Sequence, residues 1–313
     1  MKKICALVFV LAWMLSLQSC FFNRISLFEE MQPLVERAIS GEGKNKILLL
    51  DISGFISSDD GSTGLGSKKQ PATIAVVKEA LDRARADNNV KAVVLRINSP
   101  GGGVTASDIL YHEIKKFRQE TGTKVIAHIM DMGTSGAYYT ALGADRIMAQ
   151  PTSITGSIGV IMLRFDATGL MQKIGIKAFE IASAEKKGMG SPFRQFTHDE
   201  QVIFQDIVNS LQTRFVTLVG TERKLPPESV QKLADGRIFT SQEAQTAGLI
   251  DTIGYLDEAI DQAKKLAALD KATIVTYFRP GEYRANLYSL NLINIDTGGF
   301  MKPGASFLYV WWP

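Results

Sequence analysis

The chain has 313 residues, of which 45% are hydrophobic and 21% charged, a composition typical of a globular protein with one large domain or two small ones. Lysine and arginine total 35 against 32 for aspartate and glutamate, which gives a formal net charge of +3. A protein that binds nucleic acid needs a concentrated basic face, and this charge balance provides none. We therefore expect no nucleic-acid partner.

The first twenty residues form an export leader or a membrane anchor. Lys2 and Lys3 precede an apolar run over residues 4–17, and such a run partitions into the bilayer while the lysines stay on the cytoplasmic side. The sequence Leu17-Gln18-Ser19-Cys20 resembles a bacterial lipobox, so Cys20 is a candidate lipidation site. A lipoprotein, an uncleaved anchor and plain secretion all remain open. We expect a membrane-anchored protein whose folded domain lies on the extracytoplasmic (periplasmic) side.

Cysteine and metal chemistry are excluded from the folded domain. The chain has two cysteines, Cys5 and Cys20, and both lie in the leader. No disulfide framework, zinc site or cysteine nucleophile is then available downstream. We expect neither a metal nor a cofactor.

Predicted strands and helices alternate after the leader. Residues 21–44 form a connector, for which we consider a helix, and residues 54–69 form a polar loop. Apolar runs typical of buried strands cover residues 46–52, 91–97, 124–130 and 146–149. Apolar residues recur at helical spacing, which predicts helices, over residues 71–86, 105–120, 135–142, 197–223, 228–233, 241–246 and 256–269. This alternation predicts an α/β domain over residues 45–270 with parallel strand pairing.

The tail, residues 271–313, loses this periodicity and ends in the aromatic cluster Phe307-Leu-Tyr-Val-Trp-Trp-Pro313. A terminal aromatic cluster of this kind indicates a contact with the core or with another subunit, or a contact with a membrane surface. We interpret it as a contact between protomers.

A run of three glycines is the first candidate for chemistry. Gly101, Gly102 and Gly103 follow a predicted buried strand and precede a predicted helix. Glycine lets the backbone turn sharply and exposes its amides, and free N–H groups at the start of a helix stabilise an anion. These residues alone predict either part of an oxyanion hole or a tight strand-to-helix turn.

Ser135 is the second candidate, because it too lies between a predicted strand and a predicted helix. This position places its hydroxyl above the carboxyl edge of the sheet, where the helix dipole favours negative charge. The amide of Gly136 is positioned to join that of Gly102 in holding an oxyanion. The alternative, on these residues alone, is that Ser135 caps the helix.

A serine nucleophile needs a base at neutral pH. The three histidines, His112, His128 and His198, fall inside a helix, inside a strand and at a helix start, so a Ser-His-Asp triad has little support. A lysine that burial keeps neutral is the other candidate.

Four sequence blocks follow one another in a specific order: Asn98-Ser-Pro-Gly-Gly-Gly103, Ser135-Gly-Ala-Tyr-Tyr139, Thr155-Gly-Ser-Ile-Gly-Val160, and Ser183 through Lys187 to Pro192. Together they resemble the bacterial signal peptide peptidase A family (protease IV), short form, of the ClpP/crotonase superfamily. The resemblance runs over about residues 46–269. It implies a ClpP/crotonase-like fold of repeated ββα units with a C-terminal helical extension.

The resemblance also implies roles for single residues. Ser135 would be the nucleophile and Lys187 the general base, with Ser157 orienting the lysine amine. The amides of Gly102 and Gly136 would form the oxyanion hole. Lys186 is adjacent to Lys187, and the spacing of 52 residues from Ser135 favours Lys187 as the base.

The function implied is that of a serine endopeptidase with a Ser-Lys dyad, which degrades membrane-associated peptides such as cleaved signal peptides. Its implied assembly is a homo-oligomeric ring in which neighbouring protomers supply the serine and the lysine of each site. Two alternatives remain open: an acyl-CoA enzyme of the crotonase type, and a catalytically inactive membrane-anchored scaffold of the same fold. The export leader disfavours the first, because it removes the chain from the coenzyme A pool.

Overall fold

The computed structural model describes residues 32–62, 69–280, 286–288 and 306–311. From Leu34 onward, the described residues belong to one compact unit. The leader, with Cys5 and Cys20, lies outside the described residues, so the expectations for it stay predictions. In the described part of the chain, no helix has the length and apolar character needed to cross a bilayer.

The described residues form fourteen strands and eight α-helices, numbered here in chain order. The strands are β1 (Val35–Gly41), β2 (Lys46–Ser53), β3 (Gly61–Ser62), β4 (Lys69–Gln70), β5 (Val90–Ser99), β6 (Gly101–Gly103), β7 (Lys124–Thr134), β8 (Arg146–Ala149), β9 (Ile154–Gly156), β10 (Ile161–Leu163), β11 (Ile238–Thr240), β12 (Thr252–Ile253), β13 (Thr273–Phe278) and β14 (Ser306–Val310). The helices are α1 (Thr73–Ala86), α2 (Val104–Thr121), α3 (Gly136–Ala141), α4 (Thr168–Lys173), α5 (His198–Arg223), α6 (Pro227–Leu233), α7 (Ser241–Thr246) and α8 (Leu256–Leu266), with a 3-10 turn at Glu185–Gly188.

A central sheet organises the unit. Its strands follow the order β1-β13-β2-β5-β7-β8-β12, with β9 paired to the end of β7 and β11 paired to β9. All pairs from β13 to β12 are parallel, whereas β1 is antiparallel to β13. Parallel strands need crossover connections, which the intervening helices provide. The predicted α/β class is therefore confirmed.

Helices cover both faces of the sheet. Leu48, Leu50 and Ile52 of β2 pack into the core that contains residues of α1 and α2. Ile47 and Leu49, which alternate with them, pack into a second core that contains residues of α8. A strand that is buried on both faces needs apolar side chains at successive positions, which explains the unbroken apolar run in the sequence.

The carboxyl ends of β5 and β7 bring the two candidate motifs together. Ser99 of β5 pairs with Gly133 of β7. The chain then continues through β6 on one side and into Ser135 on the other. Because the two strands are parallel neighbours, both turns lie at the same edge of the sheet.

Two segments beyond residues 45–270 join the same unit. Val35–Gly41 of the connector is a strand rather than a helix, and it pairs with β13, which in turn pairs with β2. β14 lies between β6 and β10 in a small second sheet. The connector's Glu, Arg and Ala residues favour helix intrinsically, but pairing with a sheet edge overrides that preference. In the tail, Leu308, Tyr309 and Val310 are buried within their own chain.

Candidate active site

Ser135 occupies a strained turn between β7 and α3. Its backbone has φ 52° and ψ −115°, a region that costs a residue other than glycine about 1–3 kcal/mol. The Ser135 amide donates to the carbonyl of Gly156 over 2.7 Å, which ties the turn to β9. Such a sharp strand-to-helix turn is how hydrolases present a nucleophilic serine at the edge of a sheet.

The Ser135 hydroxyl is buried and unpaired. The residue is 1% exposed, and its Oγ has no hydrogen-bond partner among the described residues. A buried hydroxyl without a partner costs about 1–3 kcal/mol, and native structures hold few of them. Capping of α3 does not explain the residue, because its side chain accepts no capping hydrogen bond.

Gly102 and Gly136 lie against each other beside Ser135. A Cβ on Gly136 would stand 3.1 Å from the Gly102 nitrogen and 2.3 Å from Ser107 Oγ. A Cβ on Gly102 would stand 2.1 Å from the carbonyl oxygen of Ile56. Neither position accommodates a side chain, so glycine allows the two backbones to approach this closely.

Ser157 directly follows β9, the strand that pairs with the end of β7 before Ser135. It follows Gly156, which pairs with Thr134 across β9 and β7. Ser157 is 6% exposed and has φ 50°, and its amide donates to the Arg237 carbonyl over 2.7 Å. The structure thus brings Ser135, Ser157, Gly102 and Gly136 to one place.

Lys187 is not part of this group within a single chain. It lies in the exposed 3-10 turn Glu185–Gly188, and the unpaired state of Ser135 Oγ shows that its amine is not within hydrogen-bonding distance of the serine. Lys186 Nζ lies 3.5 Å from Asp199 and 3.8 Å from Glu185. No such ion pair engages Lys187 among the described residues.

The histidines supply no base to Ser135. His112 is exposed on α2, and His198 is the first residue of α5. His128 lies inside β7 and is 0% exposed, and neither of its ring nitrogens has a hydrogen-bond partner among the described residues. Burial lowers the pKa of His128 to about 4, against the opposing influence of Asp257. His128 is therefore a neutral residue of the core.

One side of the site, the tail strand β14, was not predicted from the sequence. Tyr309 of this strand pairs with Gly102 of β6. Its ring contacts those of Tyr139 and Phe215, with centroid separations of 5.2 and 4.8 Å. The aromatic and β-branched character of residues 307–312 was the available signal, because such residues favour strands.

The described residues contain no cluster of three or more His, Cys, Asp or Glu side chains that would hold a metal ion. The groups that the described residues place at the site are the Ser135 hydroxyl and the amides of Gly102 and Gly136.

Part of the chain matches a known protein family. The sequence model for peptidase family S49 matches residues 117–270. This range includes Ser135, Ser157, Gly136 and Lys187, while Gly102 lies before it.

Three relatives show how far the similarity extends. A protein of Enterococcus faecium named putative signal peptide peptidase SppA is 34% identical over 237 residues, which cover 76% of this chain and 68% of the relative. The putative protease MJ0651 of Methanocaldococcus jannaschii is 36% identical over 63% of each chain. The chloroplastic serine protease SPPA of Arabidopsis thaliana is 31% identical over 76% of this chain and 35% of its own length. The chain thus spans about two thirds of the first two relatives and about a third of the third.

Proposed function

The chain belongs to peptidase family S49 and is a serine peptidase, and from this premise we propose that Ser135 is its nucleophile and Lys187 its general base. The proposed substrates are extended, membrane-associated peptides such as cleaved signal peptides, a class that the name of the Enterococcus faecium relative suggests. The acyl-CoA enzyme and the inactive scaffold are not favoured by the names of the relatives.

One observation carries the assignment of Ser135. The buried Ser135 hydroxyl, which has no hydrogen-bond partner in the part of the chain that the structure describes, lies on a strained turn beside the closely spaced Gly102 and Gly136. Strain and an unpaired polar atom both oppose folding, and they persist at sites where function requires them. Donors that are held in place before the reaction stabilise developing charge without further reorganisation.

The proposed reaction is acyl transfer. Ser135 Oγ attacks a peptide carbonyl while its proton moves to the neutral Lys187 amine, and the amides of Gly102 and Gly136 bind the resulting oxyanion. The lysine ammonium then protonates the leaving amine as the C–N bond breaks. Water attacks the acyl-enzyme with its proton moving to Lys187, and Ser135 regains a proton as the acid leaves. Ser157 hydrogen-bonds and orients the lysine amine.

We propose that the lysine of each site comes from a neighbouring protomer of a homo-oligomeric ring. Within the described part of one chain, Lys187 is exposed and the Ser135 hydroxyl has no hydrogen-bond partner, so a second copy can supply the base. The residues around Lys187 also expose large apolar side chains, among them Phe179 at 88%. An apolar surface of this kind favours contact with another protein.

Lys187 is preferred to Lys186 because of their surroundings. The Lys186 ammonium faces the carboxylates of Asp199 and Glu185 and is engaged by them within its own chain. A general base must be free to reach the group whose proton it accepts. Lys187 has no such carboxylate partner among the described residues and can enter a neighbour's cleft.

Two further proposals concern the fold and the location of the protein. We propose a ClpP/crotonase-like arrangement for the α/β unit, supported by the glycine and serine turns at one edge of a parallel sheet. We also propose that residues 1–20 anchor the protein, with lipid on Cys20, and that the peptidase unit lies on the extracytoplasmic side. The apolar leader supports this location.

A fluorophosphonate probe, which reacts with activated serines, tests the assignment on the full-length protein. We expect labelling and cleavage of a synthetic signal peptide by the native chain, and neither in Ser135→Ala. Ser229→Ala, on α6, is a matched control that should retain both. If the native protein takes no label and cleaves no peptide, the inactive scaffold is the better description.

A further inference from the structure

Ser99, the last residue of β5, is a buried serine whose hydroxyl makes two hydrogen bonds. It is 0% exposed. Its Oγ donates to the carbonyl of Gly54 over 2.6 Å and accepts from the amide of Gly101 over 3.1 Å. A local serine turn explains the bond to Gly101, whereas the bond to Gly54 reaches 45 residues back along the chain. One hydroxyl therefore joins the ends of β2 and β5.

The direction of the Gly102 amide follows from the hydrogen bond of the Gly101 carbonyl. These two groups belong to the same peptide plane, and in a trans peptide the C=O and the N–H point in opposite directions. The Gly101 carbonyl accepts from the Ile56 amide over 2.9 Å, so the Gly102 N–H points away from the Ile56 amide. Gly136 approaches the same nitrogen closely, since a Cβ on Gly136 would lie 3.1 Å from it.

Gly101 connects this peptide plane to the one before it. Its φ of 102° lies in a region that glycine alone adopts readily and in which glycine has wide conformational freedom. The Ser99 hydroxyl holds the plane before Gly101 through the Gly101 N–H. The Ile56 amide holds the plane after it through the Gly101 carbonyl. Gly101 is thus fixed from both sides, and loss of either bond frees the Gly102 amide to shift.

We propose that Ser99 is a positioning residue, whose hydroxyl holds the Gly102 amide in the direction needed to bind the oxyanion. The inference rests on the proposed function and names a residue that acts through Gly102 without touching the substrate. Donors of an oxyanion hole lower the barrier because they are aligned before the reaction begins. In Ser99→Ala, the Gly101 amide loses its hydroxyl partner, and the peptide plane before Gly101 is no longer held.

The expected size of the effect is a loss of about tenfold in the rate of the chemical step. Complete removal of an oxyanion donor costs about 10²–10³ in kcat, and a displacement of 1 Å costs about 10². The bond between the Ile56 amide and the Gly101 carbonyl remains in Ser99→Ala and limits the displacement of Gly102. The loss is therefore smaller than that from a missing donor.

The first test compares rates of Ser135 labelling by a fluorophosphonate in the full-length protein. Ser135 Oγ attacks the phosphorus, fluoride leaves, and the phosphonyl oxygen takes the place of the oxyanion. In Ser99→Ala, the labelling rate should fall about tenfold while the final labelled fraction stays at the native value. A purely structural defect would instead lower the labelled fraction.

Ser241→Ala is the matched control, because it also removes a buried serine hydroxyl that bridges backbone groups. Ser241 is 0% exposed, and its Oγ lies 2.5 and 3.1 Å from the carbonyl oxygens of Gln150 and Ser153. This variant should take the label at the native rate. Equal rates in Ser99→Ala and Ser241→Ala overturn the inference and leave the proposed function intact.

The second test uses two inhibitors built on one synthetic signal peptide. A peptide aldehyde forms a hemiacetal with Ser135: a C–O bond forms, and the hydroxyl proton moves to the former carbonyl oxygen, which lies between the glycine amides. A reduced analogue, with CH₂–NH in place of the cleaved amide, has no such oxygen. In Ser99→Ala, the Ki of the aldehyde should rise about tenfold and the Kd of the reduced analogue by less than about twofold. Equal changes in both constants would show that Ser99 only supports the fold.

Ser99→Cys keeps the test decisive if the alanine variant does not fold. Cysteine has nearly the shape of serine, but its thiol is a weak donor and a weak acceptor. Its labelling rate should fall between the rates of the native and alanine proteins, and a native rate overturns the inference. Absence of labelling in the native protein contradicts the proposed function itself.

Discussion

Ser135 and Lys187 lie in two regions that are held in place by different forces. The turn that carries Ser135 is at the end of a strand buried on both faces, and it is tied to β9 by backbone hydrogen bonds. The region that carries Lys187, residues 164–196, is held instead by Arg164 and Arg194. Arg164 donates to backbone carbonyls of Ser191 and Arg194, and Arg194 pairs with Glu180 and Glu200.

This contrast shows which part of the proposed site is already formed within a single chain. A packed core fixes geometry closely enough to maintain a strained serine. An exposed ion pair such as Arg194–Glu180 contributes about 0–1 kcal/mol and does not fix an exposed lysine to catalytic precision. Apolar side chains that remain exposed there, Ile181 among them, are available for contact with a second protomer. In the proposed site, the serine half is complete within one chain and the lysine half is completed by assembly.

The largest expected effect separates the two lysines. Lys187→Ala should lower kcat/KM for a peptide by about a thousandfold, because general base catalysis of this kind contributes about 10²–10⁴. Lys186→Ala, the matched control, should change it less than about twofold, since its ammonium faces carboxylates at the surface. Steady-state cleavage of a fluorogenic peptide measures both. A larger loss in Lys186→Ala would reverse the assignment.

The second largest predicted effect is on the pH dependence of the free energy of unfolding, through the strand that leads to Ser135. His128 of β7 is buried and neutral, and burial lowers its pKa from 6.5 to about 4. Between these values the unfolded chain binds a proton that the folded chain does not, so the free energy of unfolding falls as pH falls. The loss from this residue reaches about 3 kcal/mol at pH 4.

Denaturant titrations from pH 7 to pH 4 measure this loss. His128→Leu should flatten the pH dependence in that window, and His112→Gln, at an exposed position, serves as the control substitution. An unchanged pH profile in His128→Leu would show that the strand carrying Ser135 does not depend on a neutral His128.

The smallest predicted effect is a change in stability caused by the backbone strain at Ser135. Ser135→Gly and Ser135→Ala both remove the hydroxyl, but only glycine adopts φ 52° without strain. Removal of the backbone strain stabilises the folded chain by about 1–3 kcal/mol. Glycine also makes the unfolded chain more flexible, which lowers the free energy of unfolding by the smaller amount of about 0.4–1 kcal/mol. The glycine variant should be more stable by about 1 kcal/mol in thermal or chemical unfolding. An alanine variant of equal or greater stability would show that the turn is unstrained.

The sequence predicted the buried part of the molecule well. Strands β2, β5, β7 and β8 and the helices from α1 to α3 follow directly from apolar runs and helical spacing, because burial on both faces of a sheet leaves a strong pattern. The positions of Gly102, Ser135 and Ser157 followed from turns at the carboxyl ends of strands and from family resemblance.

The strands that were not predicted from the sequence are those that pair with segments far away in the chain. β1 is an edge strand with many exposed positions and a composition that suits a helix. β13 and β14 are recognised only through partners that are hundreds of residues away, such as Lys46 opposite Thr273. Sequence periodicity carries no information on such partners, so the pairing of the tail strand with β6 could not be anticipated. The distance between Ser135 and Lys187 could not be predicted either, since in the proposed site it depends on how neighbouring chains assemble.

Mixing of two inactive chains tests most directly whether each site is shared between protomers. Full-length Ser135→Ala and Lys187→Ala are co-expressed in equal amounts, and peptide cleavage is compared with that of each variant alone. In a ring where neighbours exchange the lysine, random mixing restores about a quarter of the native sites. Recovery near that level is the predicted result. Activity that stays at the level of the separate variants would contradict a site shared between neighbouring chains.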